Sequence, residues 1–125
     1  MENIDYTTLY TDEDKEILKI AEDSLNQKID RVQEIIAYGK EAKIQTIGIA
    51  NCTRFNKEAA KLEEILNSAG FKVAKAHCKL GKVPFDSLVP DYKGLSCNPA
   101  GQADYLAAHK TELNIMMGLC LGHDM

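Results

Sequence analysis

The feature that constrains this chain most is a pair of short, apolar-rich runs separated by a stretch of helical period. Residues 46–50 read Thr-Ile-Gly-Ile-Ala, β-branched and uncharged, as expected of a strand covered on both faces of a sheet. Residues 72–77 alternate lysine with apolar residues and form a second short strand that ends at His77-Cys78. Between them Ala59, Leu62, Ile65, Leu66 and Ala69 recur at i, i+3, i+4 spacing, and Gly70 follows as a helix stop ahead of apolar Phe71. A strand, a helix and a strand joined at this length imply a right-handed parallel crossover. A parallel sheet in turn needs helices over both faces.

The flanks supply those helices. Thr11-Asp-Glu-Asp14 offers an N-cap hydroxyl and early carboxylates, and Ile17, Leu18, Ile20, Ala21 and Leu25 fall on one face, which predicts a first helix over about residues 12–25. Asp30 caps a second helix carrying Val32, Ile35 and Ile36, which fades at Gly39 and the charged run that follows. Asn98-Pro99 sets a cap and a proline at the first helical position, with Ala103, Leu106 and Ala107 continuing to about His109, itself read as a solvated or capping residue. Residues 113–119 are apolar except for Asn114 and are expected to form a buried central strand. Residues 79–96 hold no period and carry Gly81, Pro84, Pro90 and Gly94, so they read as a long loop.

This order predicts an α/β fold, a three-layer sandwich around a parallel sheet of at least three strands, preceded by two helices. The expected organisation is one α/β domain over 1–125, with a helical lead-in over 1–45 and a parallel βαβ core over 46–125. A doubly wound fold would continue past the third strand, so the chain is expected to be a fragment of a larger domain. The open sheet edge makes a homodimer a natural expectation.

Charge and hydropathy exclude several partners. Lys and Arg number 15 against 19 Asp and Glu, a net charge of -4 that offers a phosphate backbone little to hold, so nucleic acid is not expected as a partner. No apolar run approaches the roughly 18–20 residues of a membrane span, and the first ten residues are acidic and polar, unlike a basic-then-apolar leader. No membrane partner and a cytoplasmic location follow as expectations. In that setting Cys52, Cys78, Cys97 and Cys120 are not expected to be structural disulfides.

Those cysteines carry the functional reading. Ligands of an open parallel sheet bind beyond the carboxyl ends of the strands, and each predicted strand exits into a thiol: Asn51-Cys52, His77-Cys78 and Cys120. Cys97 opens the helix after the long loop and can reach the same edge, while His123 and Asp124 follow Cys120 closely. The set suits a thiophilic metal, zinc or an iron-sulfur centre, with Cys52, Cys78, Cys97, Cys120 and His123 as ligands. Spacings of 26, 19 and 23 residues give no Cys-x-x-Cys knuckle, so the fold itself must assemble such a site. Taken singly, each cysteine is more often a small core residue than a ligand.

Two other chemistries compete. Gly118-Leu119-Cys120-Leu121-Gly122 follows a strand as a Gly-x-Cys-x-Gly elbow, which would expose Cys120 as a nucleophile with His77 or His123 as its base and turn amides at Asn98 or Gly122 holding an oxyanion. Over about six residues it resembles the elbow of class I glutamine amidotransferases, which implies amidotransferase or hydrolase chemistry. That family's histidine and carboxylate partners lie well downstream of the elbow, past Met125, and its glycine-rich oxyanion segment has no counterpart here. The third reading is a small-molecule or anion pocket at the strand carboxyl edge, built on helix N-termini at Thr53 and Asn98.

Ile47-Gly-Ile-Ala-Asn-Cys52, Glu58-Ala59, His77-Cys78-Lys79, Ser96-Cys-Asn-Pro99 with Gln102-Ala103, and Thr111 through Ile115 with Gly118-Leu-Cys-Leu-Gly-His-Asp124 are together similar to the bacterial DUF1847 family. The resemblance runs from about Asp12 to the end. It implies metal binding, a label often attached to that family, with Cys52, Cys78, Cys97 and Cys120 as its recurring thiols and His123-Asp124 as its His-Asp motif. It implies no catalytic activity. Family members usually begin with a cysteine-rich segment and continue past the His-Asp motif, and this sequence departs from both.

Overall fold

A computed structural model describes residues 4–24 and 30–119, which fall in two compact units, 1–43 and 44–125. In the first, a 3-10 turn at Tyr6–Leu9 precedes helices α1 (Asp12–Ser24) and α2 (Arg31–Glu41), which pack on each other. Both starts are fixed by side chains that meet backbone N–H groups otherwise left without partners. The Asp14 N–H donates to Thr11 Oγ1 at 3.1 Å and the Thr11 N–H to Asp14 Oδ2 at 2.8 Å. Asp30 and Gln33 form the equivalent box on α2, at 2.8 and 3.3 Å. Leu25, the expected end of the first helix, lies outside the described residues.

The second unit holds a parallel sheet of β1 (Thr46–Asn51), β2 (Lys72–His77) and β3 (Leu113–Met117) in the order β2-β1-β3. Helix α3 (Asn56–Ser68) joins β1 to β2, and α4 (Pro99–Ala108) precedes β3. Register pairs Ile47 with Val73 on one side and Leu113 on the other. Strand alternation sends Ile47, Ile49 and Asn51 to one face and Gly48 and Ala50 to the other. The α3 face is closed by Ala59, Leu62 and Leu66, and Glu63 of that helix reaches Lys75 of β2 at 3.5 Å. On the opposite face Leu106 of α4 clusters with Ala50 and Ala74, with Tyr105 and Leu119 packed against them. These are the three layers expected of the α/β reading.

The central position belongs to β1, buried from Ile47 to Asn51, and not to the third strand. Expected as a buried central strand over residues 113–119, the last apolar run instead forms the edge strand β3, stops at Met117 and leaves Met116 72% exposed. Apolarity alone does not separate an edge from a centre; the pairing of β1 on both sides decides it. The run ends early because Gly118 turns at φ +64 with the Phe55 ring against it, where a side chain would collide. The long loop is more ordered than its composition predicts. Two short 3-10 turns, Leu80–Lys82 and Phe85–Ser87, are closed by backbone bonds from Phe85 to Gly94 and from Ser96 to Val83, each 2.8 Å, and by stacked rings of Phe85 and Tyr92.

Helix α4 begins as expected, with Asn98 Oδ1 accepting from the Gly101 N–H at 2.9 Å and Pro99 in the first turn. His109 caps its other end, with Nδ1 2.8 Å from the Tyr105 carbonyl and its ring on that of Tyr105. The helix can approach the sheet because β1 carries Gly48 beneath it. A Cβ at Gly48 would lie 3.0 Å from both Leu106 Cδ2 and Thr111 Cγ2 and would collide with Asn114. Gly48→Ala should therefore destabilise the protein by about 1–3 kcal/mol, read from its urea midpoint. An unchanged midpoint would show that the layers have slack at this crossing.

Candidate functional site: a thiol cluster at the carboxyl edge of the sheet

The register that pairs Asn51 with His77 sets Cys52 and Cys78 side by side at the carboxyl ends of β1 and β2. Cys97 joins them from the far side of the loop, because the Asn98 N–H donates to the Cys78 carbonyl at 2.7 Å and fixes the start of α4 at the end of β2. Cys52 is held by its backbone: its N–H donates to the Met117 carbonyl at 3.2 Å, and its carbonyl accepts from the Phe55 N–H at 2.9 Å. Cys78 is 1% exposed, whereas Cys52 and Cys97 are half-buried. Cys78 is the hub, with the thiols of both Cys97 and Cys52 close enough to interact with its sulfur.

The surroundings polarise this hub. Burial raises the Cys78 thiol, but hydrogen bonds outweigh it and hold it below its ordinary value: those with Thr53, whose N–H donates to the sulfur at 3.4 Å and whose hydroxyl oxygen lies 3.9 Å from it, and those with the two neighbouring thiols. Thr53 opens the short 3-10 turn Thr53–Phe55 that leads into α3, so its free N–H is one of those that a helical start leaves over. Burial also raises Cys97, and the charge of Cys78 adds to that. The Lys79 ammonium, 3.5 Å from Cys97 Sγ and anchored on the Leu95 carbonyl at 2.9 Å, pulls the other way without reversing the rise.

Around the thiols lies a buried amide layer. Gln102 donates from Nε2 to the Ala76 carbonyl at 2.8 Å and the Asn51 carbonyl at 3.4 Å, tying α4 to the ends of two strands. Asn51, fully buried, donates from Nδ2 to the Cys52 carbonyl and to Asn56 Oδ1, both at 2.8 Å. Two acceptors on one nitrogen fix the orientation of that amide, and its Oδ1 is left buried without a hydrogen-bond partner among the described residues.

The sequence candidates divide accordingly. Cys52, Cys78 and Cys97 come together, while Cys120 and His123 lie outside the described residues, as does the elbow beyond Leu119. His77 accepts the Lys79 N–H on Nδ1 at 3.1 Å, which puts the proton of its neutral ring on Nε2; strand alternation directs it to the α3 face. The N–H groups of Thr53 and Asn98 serve the Cys78 sulfur and carbonyl, so an anion at this edge would need other donors. Among the described residues no set of three or more His, Cys, Asp and Glu side chains is gathered to hold an ion as it stands. No described helix is long and apolar enough to cross a membrane. Lys79 and Thr53 are the contributors that sequence reasoning gave no role in the thiol site.

A parallel α/β sheet with a thiol cluster at its carboxyl edge is the class these features define. The chain matches, over residues 3–125, the family described as Protein of unknown function (DUF1847), and it belongs to that family. It is 38% identical over 122 residues to the uncharacterized protein MJ0455 of Methanocaldococcus jannaschii, an alignment covering 89% of this chain and 63% of that protein. The chain thus spans less than two thirds of the length of this archaeal relative. No solved structure matches the chain significantly.

Two outcomes follow from the electrostatics. In reduced, metal-free protein, the unfolded chain holds the Cys78 proton up to about its ordinary pKa of 9.0 while the folded chain releases it earlier. Wild type should therefore gain stability over Cys78→Ser as pH rises through the folded pKa toward 9, and lose that margin as pH falls back through it. Denaturant unfolding at several pH values reads this margin, and a flat difference would contradict it. Lys79→Met should slow alkylation of Cys97 at neutral pH, since removing the ammonium leaves less thiolate; faster labelling would mean that Lys79 merely shields the sulfur.

Proposed function

We propose that the carboxyl edge of this sheet binds a thiophilic metal, zinc or the iron of an iron-sulfur centre, through Cys52, Cys78 and Cys97. The observation that carries this reading is the convergence of two thiols on Cys78, whose sulfur already accepts a backbone N–H from Thr53 at 3.4 Å. Hydrogen bonds from outer groups are what orient and tune the ligands of a metal site. The donor chemistry fits: soft sulfur, lowered in pKa at its hub, at a half-buried edge. Zinc in a closed site takes four nitrogen or sulfur ligands, and the sequence offers Cys120 and His123 to complete the three sulfurs. Bound there, the metal would supply a fixed positive charge that holds the ends of β1, β2 and α4 together.

Titration of the reduced full chain with cobalt(II) tests the proposal, since a thiolate-bound ion develops charge-transfer absorption that zinc should then displace. Cys78→Ser should abolish the band, and Cys52→Ser and Cys97→Ser should each weaken binding by at least the roughly 10–100-fold that even outer partners of a metal site cost. No band, or one that all three variants retain, would place metal elsewhere or nowhere on this chain.

A further inference from the structure

The same edge supports sulfur chemistry that needs no metal. Cys78 and Cys97 are joined through backbone as well as side chain. The bond of 2.7 Å from the Asn98 N–H to the Cys78 carbonyl links atoms only two bonds from each α-carbon, which holds those carbons near the roughly 4–7 Å that a disulfide spans. Lys79, next to Cys78 in the chain, reaches across to Cys97 Sγ at 3.5 Å and to the Leu95 carbonyl at 2.9 Å, and Cys97 lies close enough to feel the Cys78 side chain. Their exposure differs: Cys97 is half-buried and so partly open to solvent, whereas Cys78 is 1% exposed. An outer thiol that meets a reagent, backed by an inner thiol that the reagent cannot reach, is the division of labour that stepwise exchange requires.

We propose that Cys97 and Cys78 form a dithiol that reduces low-molecular-weight disulfides and closes as an intramolecular disulfide. In the first step the Cys97 sulfur attacks one sulfur of the incoming disulfide; the external S–S bond breaks, a mixed disulfide forms on Cys97, and the first small thiol leaves. In the second, the Cys78 sulfur attacks the Cys97 sulfur, forming the Cys78–Cys97 bond and expelling the second small thiol. The two protein thiols give up two electrons, the external disulfide gains them, and the two protons leave with the released thiols. Lys79, beside Cys97, is the positioning residue that keeps the outer sulfur next to the inner one. Cys52, on the other side of Cys78, stays reduced in this scheme.

The test uses the reduced full chain, stripped of metal with a chelator, with glutathione disulfide as the probe, acid quenching, intact mass and peptide mapping. Wild type should lose two hydrogens in mass, carry no glutathione, yield a linked Cys78–Cys97 peptide and recover with dithiothreitol. Cys78→Ser should hold glutathione on Cys97 as a stable adduct, and Cys97→Ser should lose the linked product. Cys78→Ala, with far-UV circular dichroism to confirm folding, serves if the serine variant does not fold. A stable glutathione adduct on wild-type Cys97, a bridge from Cys78 to Cys52 or Cys120, or no reaction by the folded chain would each overturn the proposal. Because metal is removed first, failure of the cobalt titration leaves this result standing, and failure here leaves the titration standing.

Discussion

Gln102 donates from one buried nitrogen to the carbonyls of Ala76 and Asn51, near the carboxyl ends of two neighbouring strands, while its own helix presses Leu106 onto Gly48, Ala50 and Ala74. A buried acceptor left without a donor costs about 1–3 kcal/mol. The amide therefore does two things. It donates to two carbonyls near the carboxyl end of the sheet, and it sets the first turn of α4 over that end, so that Asn98 meets the Cys78 carbonyl and Cys97 meets Lys79. The thiol cluster depends on this crossing of helix and strand, since no local sequence spacing would assemble it.

What the cluster can do follows from asymmetry among its members. Cys78 is shut away and accepts the Thr53 N–H, Cys97 is half-buried and faces an ammonium, and Cys52 is locked through its backbone to β3 and to the turn that begins α3. Soft-metal binding and disulfide exchange both draw on such a set, and one precludes the other at any moment, because a sulfur committed to a disulfide no longer offers an ionisable thiolate to a metal. Occupancy of the edge by metal and oxidation of the Cys78–Cys97 pair are in this account alternative states of the same residues.

Much of this was legible in the sequence, and the remainder was hidden for identifiable reasons. The β-branched run at residues 46–50, the i, i+3, i+4 pattern through Leu62 and Leu66, and the Asn98-Pro99 start announce a parallel crossover with helices on both faces, since periodicity reports burial directly. The place of β3 at the edge was not legible, because Leu113 to Met117 is as apolar as a central strand and only pairing distinguishes them. Register made Cys52 and Cys78 neighbours, as the crevice rule for parallel sheets anticipates. The contact of Lys79 with Cys97 spans an aperiodic loop of two 3-10 turns whose closure depends on bonds such as Phe85 to Gly94, and nothing in its composition reveals that closure. Thr53 was visible as a helix start, but the acceptor for its N–H turned out to be the Cys78 sulfur.

The central claim is that Cys78 has a second thiol within bridging reach, and a trivalent arsenical tests it without metal or oxidant. Phenylarsine oxide condenses with two adjacent thiols, releasing water, and the resulting ring resists excess monothiol where a single-thiol adduct does not. In a Cys120→Ser background the account predicts one tightly held arsenical per chain, mapped to Cys78 and a neighbouring cysteine, and lost on adding Cys78→Ser. An arsenical that excess monothiol strips from the folded chain, or that the further substitution leaves in place, would show that these thiols do not share one site.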